Sequence, residues 1–247
     1  MTQNNKPTKY ERDLALVESI LAKGDAMTHF DRVQLLTVYN VSWHDSGKIE
    51  GTFSLDSSCN GCTFCSKMRA AAEKDPTIIC GKCYDHKQEE YRTNVKLRHT
   101  LNMRIMSSVE FTLDEMAMLP SSLVVRINSS GDIENATHAR NMIRYAMTHA
   151  AANVGLWGKN RPAIEEAFDE LGKPANVVYV ASSIHVNKPD ALPKYADYTF
   201  TVYDKDHIAE AIANGACSCN GAKCMTCGYK CYFGTWPKGS DIAELLR

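Results

Sequence analysis

Ten cysteines stand in two dense groups, Cys59, Cys62, Cys65, Cys80 and Cys83 toward the front of the chain and Cys217, Cys219, Cys224, Cys227 and Cys231 toward its end. Thiolates two residues apart on a short loop can point at one ion or cluster without spanning a fold element, so C-x2-C units recur in zinc and iron-sulfur sites. The unit occurs four times, at 59/62, 62/65, 80/83 and 224/227. All ten cysteines are candidate metal ligands.

Three chemistries compete for them. A disulfide framework belongs to small secreted domains without a core, whereas this sequence has 247 residues, 44% hydrophobic composition and no secretory leader pattern. Zinc is favoured by Cys62-x2-Cys65 followed fourteen residues later by Cys80-x2-Cys83, close to the paired-knuckle spacing of a four-thiolate site. That reading leaves Cys59 idle. Iron-sulfur chemistry uses it, because Cys59-x2-Cys62-x2-Cys65 repeats the opening of the bacterial ferredoxin run, although the x3-Cys-Pro that should follow is missing. The rear group has its own version, Cys224-x2-Cys227-x3-Cys231, ending in Tyr232 rather than proline.

The elements that must position these thiols read as an α/β domain. Leu123 to Ile127 is a β-branched run that breaks at Asn128-Ser129-Ser130-Gly131-Asp132, after which Ala139, Met142, Ile143, Ala146, Met147 and Ala150 recur at helical spacing. The cycle repeats with Val154 to Trp157 and a helix entered at Pro162, then with Val177 to Ala181, then with Tyr198 to Tyr203, Asp204 as a cap and a helix closing at Gly215. Such spacing suits right-handed β-α units laying down a parallel sheet, in a partial or irregular barrel or, as the second choice, a doubly wound open sheet. Upstream, a helix carrying Leu14, Val17 and Leu21 closes at Gly24, Val33 to Val41 and Thr52 to Leu55 read as strands around a turn at Asp45-Ser46-Gly47, and one long helix is expected from about Asp85 to Met106. Residues 1–247 then form a single domain, with a front cysteine-rich segment at 59–83, a β-α repeat core at 122–215 and a rear cysteine-rich segment at 216–236.

Parallel sheets place ligands at the carboxyl ends of their strands. The candidate ligand-binding residues there are Arg126, Asn128, Ser130, Asp132 and Lys159. Arg126 reads either as half of a core ion pair or as an anion clamp, Asp132 as a cap for a helix starting near Glu134 or as a ligand group, and Lys159 as a solvated lysine or a group reaching the mouth. His185, isolated after the third strand of the repeat, reads as solvated or as a metal ligand. Met103 and Met106 read as core filling, Trp157 and Trp236 as buried, and Tyr84 and Tyr232, each directly after a cysteine, as shields over a metal centre.

A net charge of -1 excludes a general polyanion-binding surface, and no apolar run approaches the ~18 residues of a membrane span. Between Ser66 and Arg104 nine Lys/Arg outnumber five Asp/Glu, which either balances neighbouring thiolates or serves nucleic acid. The cysteine usage is expected to place the protein in the cytoplasm.

The order Phe53-Ser54-Leu55, Cys59-Asn60-Gly61, Cys83-Tyr84, a basic helix with Tyr91 and Asn94, and Val125 to Ile133, with the tail ending in Cys224-x2-Cys227-x3-Cys231, resembles the phage gene product 88 domain family over roughly residues 50 to 235. The resemblance implies phage or prophage origin and no particular activity. Its Ser-Gly-Asp element and β-α units are in turn similar to the partial barrels of radical S-adenosylmethionine enzymes, which would bring S-adenosylmethionine as a cofactor; the C-x3-C-x2-C loop of those enzymes is absent, which counts against it. The extra Cys62 and Cys65 imply a second cluster or an elaborated site.

Two functions are expected to compete. The first is an iron-sulfur protein with one or two [4Fe-4S] clusters, catalytic on an unknown small molecule if an iron stays open, or an electron carrier for a redox partner if every iron is closed. The second is a zinc-stapled module contacting nucleic acid or a host protein through the basic 66–104 segment.

Overall fold

A computed structural model describes residues 6–219 and 223–246. The chain opens with two capped helices. α1 (Lys9–Leu21) starts at Thr8, whose side chain accepts from the Glu11 amide while Glu11 accepts from Thr8, and α2 (His29–Val38) repeats the device with Thr28 and Asp31. The strand expected at Val33 to Val41 is therefore a helix over most of its length. The capping box fixes the first turn, and Leu35 and Leu36 are buried from one helical face, so helical packing overrides the β-branched composition.

Next come β1 (Ser42–Trp43) and β2 (Phe53–Leu55), antiparallel about the Asp45-Ser46-Gly47 bend. α3 (Thr63–Ala72) carries Cys65, and α4 (Tyr84–Tyr91) and α5 (Thr93–Ser108) replace the single long helix expected from Asp85 to Met106. The break is at Arg92, whose φ of -119° and ψ of 81° lie outside the helical region. Each half has its own task. α5 buries Leu101, Ile105 and Met106 in the main core, whereas α4 turns Glu89 inward toward the Cys59 loop.

After the short α6 (Leu113–Met116) the repeats begin, with β3 (Val124–Ile127), α7 (Ala136–Thr148), β4 (Asn153–Gly158), α8 (Arg161–Leu171), β5 (Val177–Ser182), β6 (Tyr198–Tyr203) and α9 (Ile208–Ala213). β7 (Cys217–Ser218) and β8 (Asp241–Leu245) close the order β1-β2-β3-β4-β5-β6-β8-β7, parallel at every pairing after the first. The sheet is open, with β1 and β7 at its two edges, and no barrel closes. Its strands from β2 to β6 follow in sequence order, unlike a doubly wound sheet, where the order reverses at a switch point.

That order sends successive crossovers the same way, and right-handed crossovers then stack their helices on one face. Burial agrees. Val125, Ile127, Val154, Leu156, Val177 and Tyr179 join a large core with Met142, Ile143, Ile164 and Phe168 from α7 and α8. Each such side chain, fully buried, contributes roughly 1.5–3 kcal/mol. The alternate residues Val124, Trp157, Val180 and Tyr198 face the other way and share a second core with Ile242 and with Cys224, Cys231 and Tyr232 of the tail. One face of the sheet thus carries the helices and the other the rear cysteines. Among the described residues no helix is long and apolar enough to cross a membrane.

Candidate metal centres

The front thiols gather at the carboxyl ends of β2, β3 and β4. Asp56, just past β2, accepts the Ser129 and Ser130 amides at 2.9 and 3.1 Å and the Ser54 hydroxyl at 2.6 Å, tying the β2-α3 loop to the β3-α7 loop. Ser57 donates its hydroxyl to the Asp132 carbonyl at 2.8 Å. Glu89 of α4 accepts the amides of Cys59 and Asn60 at 3.1 and 3.0 Å and the Ser58 hydroxyl at 2.9 Å, and its other neighbour is the His99 ring at 3.0 Å. Arg69 caps the Cys59 carbonyl at 2.7 Å. The Cys59 loop is held from three directions.

Within this frame the Cys65 and Cys83 thiols and the Gly131 amide are turned toward Cys59 and together hold it far below the usual thiol range. Cys65 and Cys83, turned toward Cys59, are pushed up. Cys65 also touches Cys62, whose sulfur accepts the Cys65 amide at 3.4 Å and so caps α3. Cys80 is raised by burial and lies within the field of Lys159, Asp132 and Cys59. Gly131 is required twice over: its φ is +81°, and a Cβ there would stand 2.2 Å from the Ser57 carbonyl oxygen.

Lys159 enters this group from the end of β4. It is half-buried there; burial would lower its pKa, and the charges of Cys80, Asp132, Cys65 and Cys83 more than reverse that. Asp132 is buried and accepts the Lys159 amide at 2.9 Å and the Ile133 amide at 2.8 Å. It does not cap the following helix, which is capped by Asn135 through the His138 amide at 2.9 Å. Burial raises its carboxyl. Asn128 is spent on structure, accepting from Ser57 at 3.1 Å and donating to the Trp157 carbonyl at 3.3 Å, and Ser130 is buried in the same turn.

The rear thiols form a second set on the opposite face of the sheet from the helices. Cys219, Cys224, Cys227 and Cys231 fall within one another's fields, and burial pushes Cys231 up to about 12 despite Arg126 beside it. The tail is anchored on the β1-β2 connection by the Cys224 amide to the Lys48 carbonyl at 2.7 Å and the Tyr229 hydroxyl to the Glu50 carbonyl at 2.7 Å, and Cys219 donates to Ala243 of β8 at 2.7 Å. Cys217 lies on β7, paired with Ile242 of β8.

Arg126 has no carboxylate partner among the described residues, which removes the core ion pair. Its guanidinium stacks on Trp157 beside Tyr232, Cys231 and Cys224; burial would lower its pKa and those groups raise it. Each thiol set therefore has one half-buried cation, Lys159 in front and Arg126 behind. Tyr232 is buried with its ring 5.0 Å from that of Trp157, as a shield would be, whereas Tyr84 is 67% exposed and shields nothing. Trp236 packs edge-on to Tyr198. His185 bonds Thr77 at 3.0 Å, pinning the β5-β6 loop to the segment before Cys80.

Three groups were not singled out from the sequence. Asp56 and Glu89 organise the loops, and Asp85 offers an oxygen within 4.8 Å of the Cys59 and Cys83 sulfurs. The only signal for Asp85 was its place two residues past Cys83; the pairing of Asp56 and Glu89 with distant amides has none.

An open, mostly parallel α/β sheet with cysteine-rich segments at its carboxyl edge and over its helix-free face defines the class of protein. Within that class, the family model for gene product 88 matches residues 3–239, and the chain belongs to this family. No curated protein and no solved structure matches it.

Proposed function

We propose that this is a phage or prophage iron-sulfur protein, with one cluster on the front thiols and a second on Cys219, Cys224, Cys227 and Cys231. The observation that carries the reading is the convergence of Cys59 and Cys83, their sulfurs within 4.8 Å of each other, with Cys65 bearing on Cys59, where the parallel strands end. A staple that only stabilised the fold would have no reason to sit at the ligand edge of a sheet whose core is complete without it. Three sulfurs leave one coordination position for a further ligand, the arrangement of a catalytic rather than a closed site. The cluster would supply electron transfer or Lewis acidity. The chain's own residues then set its environment: the Gly131 amide and the Lys159 ammonium stabilise negative sulfur, and both favour the reduced, more negative state. A small-molecule substrate or a redox partner would approach this edge, in the host cytoplasm.

Zinc is the second reading, favoured by one observation. The Cys59, Cys83 and Asp85 ligand atoms lie within 4.8 Å of one another, and ligands at ~2.0–2.3 Å from a single tetrahedral ion stand roughly that close or closer. The basic 66–104 segment would then serve a nucleic acid or host-protein contact. Protein purified without oxygen separates the two: broad visible absorption that bleaches with dithionite, with iron and acid-labile sulfide, supports clusters, and a colourless zinc protein overturns them.

A further inference from the structure

The carboxylates around the front thiols are engaged, with one exception. Asp56 accepts from Ser54, Ser129 and Ser130, Glu89 accepts from Ser58, Cys59 and Asn60, and Asp132 accepts from Ile133 and Lys159. Asp85, half-buried in the first turn of α4, makes no hydrogen bond and no ion pair among the described residues. It faces the Cys59 and Cys83 sulfurs, all three ligand atoms lying within 4.8 Å of one another. The start of a helix tolerates a negative charge, yet no backbone amide there bonds this carboxylate. An anion pressed against two sulfurs without a donor is repelled, and a cation among the three turns that repulsion into attraction.

We propose that Asp85 is an oxygen ligand of the front metal, beside the Cys59 and Cys83 sulfurs; the inference rests on the metal reading above and holds for iron or zinc. Cys62 and Cys80 have different surroundings. The Cys62 sulfur caps α3, and Cys80 lies within the field of Lys159, Asp132 and Cys59. A carboxylate oxygen is a harder ligand than a thiolate and is held less firmly on a sulfur-bound iron or zinc. Asp85 thus occupies the exchangeable position, and an incoming oxygen or nitrogen ligand takes its place. The coordination number stays constant, no electron is transferred in the exchange, and the carboxylate is released to the mouth.

The test uses the full chain, prepared without oxygen, as wild type, Asp85→Ala, Asp85→Asn, Asp85→Cys and Cys83→Ser. Metal and sulfide content are followed during a chelator challenge, alongside electron paramagnetic resonance of the reduced protein or, for a zinc protein, X-ray absorption at the metal edge. Asp85→Ala is expected to lose the front metal about tenfold faster or more, as loss of a ligand or its support does. Asp85→Cys should retain it and change the spectrum toward full sulfur ligation. If Asp85→Ala does not fold by circular dichroism, the isosteric Asp85→Asn and the Asp85→Cys variant carry the comparison. Retention and spectrum unchanged in every Asp85 variant, while Cys83→Ser loses metal, overturn the Asp85 assignment and leave the metal reading standing. A wild type that binds no metal overturns both.

Discussion

The Arg126 guanidinium lies 4.3 Å from the centroid of the Trp157 ring, with the Cys224 and Cys231 thiols acting on it. A half-buried cation with no carboxylate partner, its Nε sealed from solvent without a hydrogen bond, is costly in the metal-free protein and becomes favourable when the sulfurs beside it are thiolates. Arg126→Met should therefore leave the stability of the metal-free protein unchanged or raise it, and should weaken metal retention by the rear site. Paired denaturant titrations of metal-free and loaded protein check this; equal destabilisation of both forms would mean that Arg126 acts only through packing.

Gly131→Ala should be severe. A positive φ imposes roughly 1–3 kcal/mol on a residue with a side chain, and the Cβ meets the Ser57 carbonyl oxygen at 2.2 Å. The loop must move, taking the amide away from Cys59. A shift in denaturation midpoint together with faster loss of the front metal is the expected pair of outcomes, and a stable variant with unchanged metal retention would refute the role given to this turn.

Tyr232→Ala should destabilise the protein by about 3–5 kcal/mol, the range for removing a large buried aromatic, because the ring fills the space between Trp157 and the hydrogen at Gly155. It should also expose the rear thiols to oxygen. Tyr84→Ala, at an exposed position, should do neither, and comparing the rates of oxidative metal loss in the two variants measures the difference.

His138 gives a pH dependence. Burial lowers its pKa to about 4 from the ordinary 6.5, so between those values the unfolded chain holds a proton that the folded chain does not. Stability present above pH 6.5 is lost as pH falls toward 4, at about 1.4 kcal/mol for each unit. In the metal-free protein the Asp85 carboxyl, raised to about 7 by burial and by Cys59, works in the opposite direction over the same window. The readout is therefore the difference between wild type and His138→Leu in denaturation midpoint at pH 7 and pH 5: wild type should lose more, and parallel losses would remove His138 as the cause.

The sheet was legible where sequence and environment agree. β3, β5 and β6 show β-branched runs and β4 an apolar run, each ending in polar residues, and the crossover spacing announces parallel pairing from the sequence alone. Val33 to Val41 misled because its composition suits a strand while Thr28 and Asp31, outside the run, decide for a helix. The break at Arg92 has no proline or glycine to mark it; it follows from where Glu89 must point. At the site, the cysteines named themselves by spacing, but their division into sets did not. Cys59 meets Cys83 across the α3 helix, and Cys219 joins Cys224 because β8 holds its amide. Lys159 and Arg126 became counter-cations only once the fold brought them to sulfur.

The central claim is inorganic, and quantifying iron and acid-labile sulfide per chain in protein purified without oxygen tests it most directly. Both should be present, in near-equal amounts, and both should fall when Cys83 or Cys227 is replaced by serine. A chain that carries zinc without sulfide, or no metal at all, would contradict the account.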